Sequence, residues 1–328
     1  MRLEEPDTFY VAAPAFLAPG PAGDLLVSDA LGGQVLRFDR RGQPLRRYGR
    51  RGDGPGEFRS PVAAAAVGDT LLAVADWRLG RVSVFDLRTG AYLRSVRHEG
   101  LPFSMQVDGD TVWIGGLNRA RGTSFTRWHL AEDTVHYLGP IPAEYRASNL
   151  LADAHPYAVV ARVARGFLVG FTGHPALFVT DAQGAVRDTI ELPAIRRRGV
   201  PHDILHRFAR PLPDPEIASM VSALSALQPL RSGLLAAVHL DVTVEEGLIT
   251  ADGFVSVLTP DLRQACVDAP FRGSRDGRPV VAFRGDTLLV LEQRVGSAPR
   301  ATTIVTAYRI DASRCHWIAV RRGGVAAE

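Results

Sequence analysis

The chain has 328 residues, 46% hydrophobic and 22% charged with a formal net charge of +3, a composition that excludes a disordered polymer and does not call for a nucleic-acid partner. All 38 basic residues are arginine, which excludes Schiff-base and lysine-base mechanisms, and two cysteines are too few for a disulfide framework or a four-cysteine zinc site. No run of 18 apolar residues occurs and Met1–Pro6 lacks the apolar segment of a signal peptide, so no membrane span is expected.

In chain order, the first signal is a repeat. Gly23-Asp24-Leu25-Leu26-Val27-Ser28-Asp29 returns 45 residues later as Gly68-Asp69-Thr70-Leu71-Leu72-Ala73-Val74-Ala75-Asp76. Each leads into a second apolar run, Gln34 to Asp39 and Arg81 to Asp86. Gly109-Asp110-Thr111-Val112 opens a third copy, Gly166-Phe167-Leu168-Val169 a fourth, Gly233-Leu234-Leu235 a fifth and Gly285-Asp286-Thr287-Leu288 a sixth.

Short β-branched or apolar runs bounded by Gly, Asp and Pro are strand signals. Four strands per copy are expected, in the second copy at about 61–67, 70–76, 81–86 and 92–97. A sheet with two apolar faces must be stacked to bury both, and radial stacking also leaves only short edges. The expected fold is therefore all-β: one six-bladed β-propeller domain over 1–328, with four-stranded antiparallel blades at about 13–60, 61–100, 101–142, 157–193, 223–271 and 279–320. Its closure is expected from Phe9-Tyr10-Val11 pairing near Cys315 to Val320.

Between the first two copies lies Arg50-Arg51-Gly52-Asp53-Gly54-Pro55-Gly56-Glu57-Phe58-Arg59-Ser60-Pro61. Proline followed by glycine suits the centre of a type II turn, so Gly54, Pro55, Gly56 and Phe58 are read as a structural reversal between blades. This stretch, with Val74-Ala75-Asp76, Arg81 to Asp86 and Gly90, resembles the NHL-repeat pattern of bacterial six-bladed propellers. The resemblance is close over 23–97 and reduces to strand pattern over 98–318. It implies the propeller fold. It also implies a range of roles, from binding scaffolds and exported surface proteins to hydrolases in related groups.

An insertion at 194–222 interrupts the repeat. Asp214-Pro215-Glu216 is a helix-start pattern, and Ile217, Met220, Val221, Leu224 and Leu227 follow helical spacing, so a short helix between blades four and five is expected. The same insertion holds His202 and His206, four residues apart and candidates for a metal if helical. The default reading of these histidines is a polar loop. Cys266 and Cys315, read as equivalent outer positions on neighbouring blades, are expected to be free thiols beyond disulfide reach.

Arg37, Arg40, Arg41, Arg46, Arg47, Arg50, Arg51 and Arg59 place eight arginines in 23 residues. Guanidinium forks suit carboxylate and phosphate groups, which makes Arg46, Arg47, Arg50 and Arg51 the candidate binding residues; the structural alternative is a charged, solvated outer strand that resists edge pairing. No Gly-x-Ser-x-Gly elbow or phosphate loop is present, and no catalytic residue can be assigned. The expectation is a monomeric, non-catalytic binding scaffold for an unidentified protein or small acidic ligand, with no cofactor. The first alternative is a lactonase-like or strictosidine-synthase-like hydrolase that holds a calcium-like ion at the pore with ligands from several blades, for which Asn118 and Asn149 are the only asparagines. The second is an RNA-binding propeller, weakened by the absence of an aromatic stacking stripe. The family resemblance favours an exported location.

Overall fold

A computed structural model describes residues 1–7, 9–147, 157–193, 198, 221–245, 248–295 and 300–323. Six antiparallel sheets follow one another along the chain, one per repeat, in the manner of a six-bladed β-propeller. The first contains β1 (Pro14–Pro19), β2 (Leu25–Asp29), β3 (Gln34–Phe38) and β4 (Pro44–Tyr48), and the second β5 (Pro61–Val67), β6 (Leu71–Asp76), β7 (Arg81–Asp86) and β8 (Tyr92–Arg97). The third has β9 (Leu101–Asp108), β10 (Thr111–Asn118), β11 (Thr123–His129) and β12 (His136–Pro140), followed by the single-turn helix α1 (Ala143–Ala147). The fourth holds β13 (Ala158–Val163), β14 (Gly166–Phe171), β15 (Ala176–Thr180) and β16 (Val186–Glu191), the fifth β17 (Ser222–Pro229), β18 (Leu235–Glu245), β19 (Leu248–Leu258) and β20 (Gln264–Ser274), and the sixth β21 (Val280–Arg284), β22 (Thr287–Arg294) and β23 (Thr302–Arg309). Two short strands close the chain, β24 (Ile318–Ala319) and β25 (Arg321–Arg322).

Position in the blade explains each strand's sequence. Second strands lie between two sheet neighbours and under two faces, so β2 is buried at every residue, opening on the apolar Leu25-Leu26-Val27 and ending on the buried polar Ser28 and Asp29. Outermost strands β4 and β8 alternate exposure residue by residue along their length, and carry Arg46, Arg47, Arg94 and Arg97. Each also has a bulge, with Leu45 and Leu93 as the extra residues left out in solvent. Bulges and charges on an outer strand discourage edge-to-edge pairing.

The turn from third to fourth strand is drawn by one aspartate. Asp39 accepts from the Arg41 and Gln43 amides, and Asp86 from Arg88, Thr89 and the Thr89 hydroxyl. The backbone N–H groups hold both carboxyls below the usual carboxylate range, the Gln43 bond being the largest cause for Asp39 and the Thr89 amide for Asp86.

The chain divides into two compact units, one of Met1–Ile114, Thr126–His136 and Pro279–Tyr308, the other of Gly115–Phe125, Tyr137–Arg278 and Arg309–Glu328. In the first unit, Ala18, Leu26, Tyr48, Phe58, Leu72, Val74 and Phe85 fill the space between the first two sheets. Leu17, Val27, Leu36 and Phe38 pack on Leu3, Leu289, Leu291 and Val305, so the first sheet also lies against the sixth. In the second unit, Leu224 and Leu227 of β17 both pack over Gly170 of β14, where an added Cβ would fall 2.2 Å from Leu224 Cδ2.

Three expectations are corrected. The three-stranded sixth sheet is bordered at β23 by Met1–Leu3 instead of 9–11, through a single bridge from Arg2 to Ile304: the Leu3 amide donates to Thr303 O (3.0 Å), the Val305 amide to Met1 O (2.8 Å) and the terminal ammonium to Val305 O (2.7 Å). The C-terminal segment leaves the sixth sheet, β24 pairing with β20 and β25 with β16 as outermost fifth strands of the fifth and fourth sheets. Consequently Cys315 lies on this returning tail, and Cys266 and Cys315 form a disulfide with a Cα–Cα separation of 5.5 Å. The free-thiol expectation failed because it kept Cys315 on the sixth blade.

The helical stripe is corrected in the part that is described. Leu224 and Leu227 lie in strand β17, where Ser225 is the extra residue of a bulge between Leu224 and Ala226. A bulge puts residues three apart on the same side, which imitates helical spacing. The remainder of the predicted helix, Asp214 to Met220, lies outside the described residues, as do His202 and His206.

Candidate functional site

A buried carboxylate at the end of each of the first two second strands sets up the candidate site. Asp29 accepts from the Ala12, Ala13 and Gly32 amides and from Gln34 Nε2, at 2.9–3.1 Å. Asp76 accepts from the Arg59, Ser60 and Leu79 amides, at 2.7–2.9 Å. Both tie the segment entering the innermost strand to the turn between second and third strands. At Asn118 the side-chain oxygen accepts from the Arg121 amide, 3.1 Å away, within the same turn.

The connector from the first blade to the second folds onto itself. The Phe58 amide donates to Arg50 O (2.8 Å), the Gly52 amide to Phe58 O (3.0 Å) and the Glu57 amide to Gly54 O (3.1 Å). Gly54-Pro55-Gly56-Glu57 is thus a hydrogen-bonded turn with φ +73° at Gly56, a left-handed value that glycine adopts without strain. Phe58 anchors the loop, fully buried with its ring 5.6 Å from that of Phe85. Gly49, at φ +70°, passes directly over that ring: an added Cβ would lie 2.4 Å from Phe58 Cε2.

The arginine run separates into different environments. Arg37 pairs with Asp24 and donates to Leu87 O, inside the fold. Arg46 donates to Thr89 O at 2.7 Å, whereas Arg47 is exposed on the other side of β4. Arg50 pairs with Glu57 at 2.8 Å, and Arg59 forms a two-point pair with Asp53. These contacts hold the loop's acids ionised: the Gly54 amide is the main cause at Glu57, with Arg50 next, and the Arg59 guanidinium is the main cause at Asp53. Arg51 reaches Leu31 O at 2.8 Å. Of the four arginines singled out from sequence, only Arg51 therefore reaches a cleft at the loop end of the blades.

That cleft, of about 540 Å³, is lined by Ala13, Ala30 and Leu31 from the first blade, Arg51, Gly52, Asp53, Arg59 and Ser60 from the connector, and Arg78 from the second blade. At its margin the Trp77 indole donates to Ser60 Oγ (3.0 Å), and the Arg78 guanidinium sits 5.2 Å from the Trp77 ring centre. Leu31 is 61% exposed and Trp77 42%. Leu31, Trp77 and Arg78 escaped the sequence reading. Their signal was a large apolar residue just past each aspartate, Leu31 two residues after Asp29 and Trp77 directly after Asp76, in turns where polar or small residues are the norm.

A larger recess of about 940 Å³ follows the seam where the N-terminal segment joins the sixth sheet. Its polar groups serve the closure: Glu5 accepts from the Val11 and Thr303 amides, Gln293 donates to Val11 O, and Arg300 pairs with Asp7. Among the described residues, no group of three or more His, Cys, Asp or Glu side chains is placed to hold a metal ion. No helix among them is long and apolar enough to cross a membrane.

No protein-family model matches this chain, and no curated protein matches it. Solved structures do resemble it. A putative exported protein of Bacteroides fragilis NCTC 9343 is 9% identical over 95% of this chain and 94% of its own, with a TM-score of 0.64. A member of the DUF4221 family from Bacteroides vulgatus is 10% identical over 94% and 97%, with a TM-score of 0.58. Virginiamycin B lyase from Staphylococcus aureus is 10% identical over 94% and 87%, with a TM-score of 0.52. At these identities the likeness carries the fold alone.

Proposed function

We propose that the protein is a non-catalytic binding scaffold whose contact surface is the loop end of its first two blades, and that it works outside the reducing cytoplasm. The observation that carries the reading is the exposed Leu31 lining one cleft with Arg51 and Arg78, with the exposed Trp77 beside it in contact with Ser60 and Arg78. Trp and Arg are the side chains that most often dominate binding energy, and exposed apolar groups rimmed by polar ones mark contact sites. The support beneath them is stiff, because Asp29, Asp76 and the buried Phe58 fix the turns and connector that carry them. Rigid sheets presenting side chains on loops suit recognition without requiring chemistry.

The cellular location rests on different support. A disulfide between the two cysteines is stable in oxidising surroundings and rare where glutathione keeps thiols reduced. The solved structure named a putative exported protein is consistent with that reading.

A photo-crosslinking amino acid at position 77, with position 93 on the outer edge as control, tests the surface in the producing cell. The expected result is a discrete adduct from 77 and none from 93. Equal labelling from both positions, or none from 77, overturns the choice of surface. Thiol trapping with a maleimide polymer in intact cells tests the location: an unshifted band until reductant is added is expected, and an immediate double shift overturns it.

A further inference from the structure

The cleft has an unbalanced charge, and that imbalance identifies the chemistry it accepts. Of the arginines at this end, Arg59 is matched by Asp53 and Arg50 by Glu57, whereas Arg51 and Arg78 have no carboxylate partner among the described residues. Arg51 spends an N–H on Leu31 O, leaving most of its five donors for a ligand. Each guanidinium has an exposed apolar residue beside it: Arg51 donates to the carbonyl of Leu31, and Arg78 sits 5.2 Å from the centre of the Trp77 ring.

We propose that the cleft binds an extended peptide segment of a partner protein, with an Asp or Glu carboxylate held by Arg51 and Arg78 and a neighbouring apolar side chain on Leu31 and Trp77. The inference rests on the reading of this surface as the contact face. A guanidinium presents two parallel N–H groups that match a carboxylate, and a desolvated pair next to apolar contacts gives such a residue its weight in binding. A nucleic acid fits less well. Single strands are bound by several aromatic faces in series along a basic track, and here one indole stands at the cleft while Arg46, Arg50 and Arg59 turn to a protein carbonyl and to carboxylates. A small free acid leaves Leu31 and Trp77 without a contact.

Panning a random peptide library displayed on phage against the whole protein tests the proposal, with R51E/R78E panned in parallel and its fold checked by circular dichroism. The expected enrichment is Asp or Glu beside a large apolar residue. A synthetic peptide of that sequence should bind the wild type at least about tenfold more tightly than R51E/R78E or Trp77→Ala, and more weakly as salt rises. Should the double variant misfold, Leu31→Glu, a change at an exposed turn position, supplies the same comparison. Enriched peptides that need Arg51 and Arg78 but carry no acid would overturn the ligand chemistry and leave the contact face standing. Peptides indifferent to all three variants would overturn both. No enrichment, tighter binding of a fluorescent oligouridylate than of any peptide, or full competition by free glutarate would each overturn the peptide assignment.

Discussion

Cys266, on the outermost original strand of the fifth blade, is bonded to Cys315 on the returning C-terminal tail, 49 positions away with a Cα–Cα separation of 5.5 Å. Beyond the bond, the Val320 amide donates to Arg263 O (2.9 Å) and the Gly323 amide to Thr189 O (2.9 Å), while Arg321 and Arg322 pair with Glu191 and Asp188. The tail therefore covers the outer edges of the fifth and fourth sheets, whereas the first two sheets rely on bulges and arginines at theirs. Cys315→Ala is expected to speed amide exchange at Ile318–Arg322 while leaving β18 and β19 protected. A loop of this length sets the chain-entropy contribution of the bond at about 4 kcal/mol or less. Unchanged exchange in the tail would show that its strand pairing alone holds it.

Asp76 carries more than its share of the connector. Asp76→Ala removes the acceptor for three amides, those of Arg59, Ser60 and Leu79, in a place where water does not reach the carboxylate. The expected loss in urea unfolding is about 3 kcal/mol or more, with Asp76→Asn losing less because it keeps one acceptor oxygen. Peptide affinity at the cleft should fall with it, since Arg59 and Ser60 line that cleft.

Gly49→Ala is expected to cost about 2–4 kcal/mol, from a left-handed φ of +70° together with the collision against Phe58. Phe58→Leu in the same chain should recover part of that cost by opening space under the new methyl. A double-mutant cycle in thermal melts measures the recovery, and strict additivity would mean that the backbone conformation alone is responsible.

Acid sensitivity should have a specific source in His98. Burial pushes its imidazole down to about 4 from an ordinary 6.5, against an opposing pull from Glu99. The folded state thus disfavours the protonated ring, whereas the unfolded chain takes up the proton from about pH 6.5 downward. The associated stability is complete above pH 6.5 and lost as the pH falls toward 4, by up to about 3 kcal/mol. His98→Gln is expected to flatten that part of the stability profile. An unaltered slope would assign the acid response to other groups.

Much of the architecture was legible in the linear chain because it rests on local physics. The strands of the second blade begin and end within one residue of the expected positions, since Gly68, Gly80 and Gly90 mark turns and β-branched residues fill the runs between them. Asp39 and Asp86 act through neighbours two to four residues away. The misread features depend on long-range contacts. Leu224 and Leu227 have helical spacing until β18 pairs with β17 and leaves Ser225 as a bulge. Cys315 has no assignable partner until the tail is seen returning to the fifth blade, and Met1–Leu3 carries no strand pattern apart from the β23 edge it borders. The cleft belongs to the same class. Leu31, Arg51 and Arg78 come from three separate loops, and their shared environment arises only when the first two sheets pack through Tyr48, Phe58 and Phe85. Side-chain type and turn chemistry specify each blade in the sequence, but packing between blades decides which exposed residues meet.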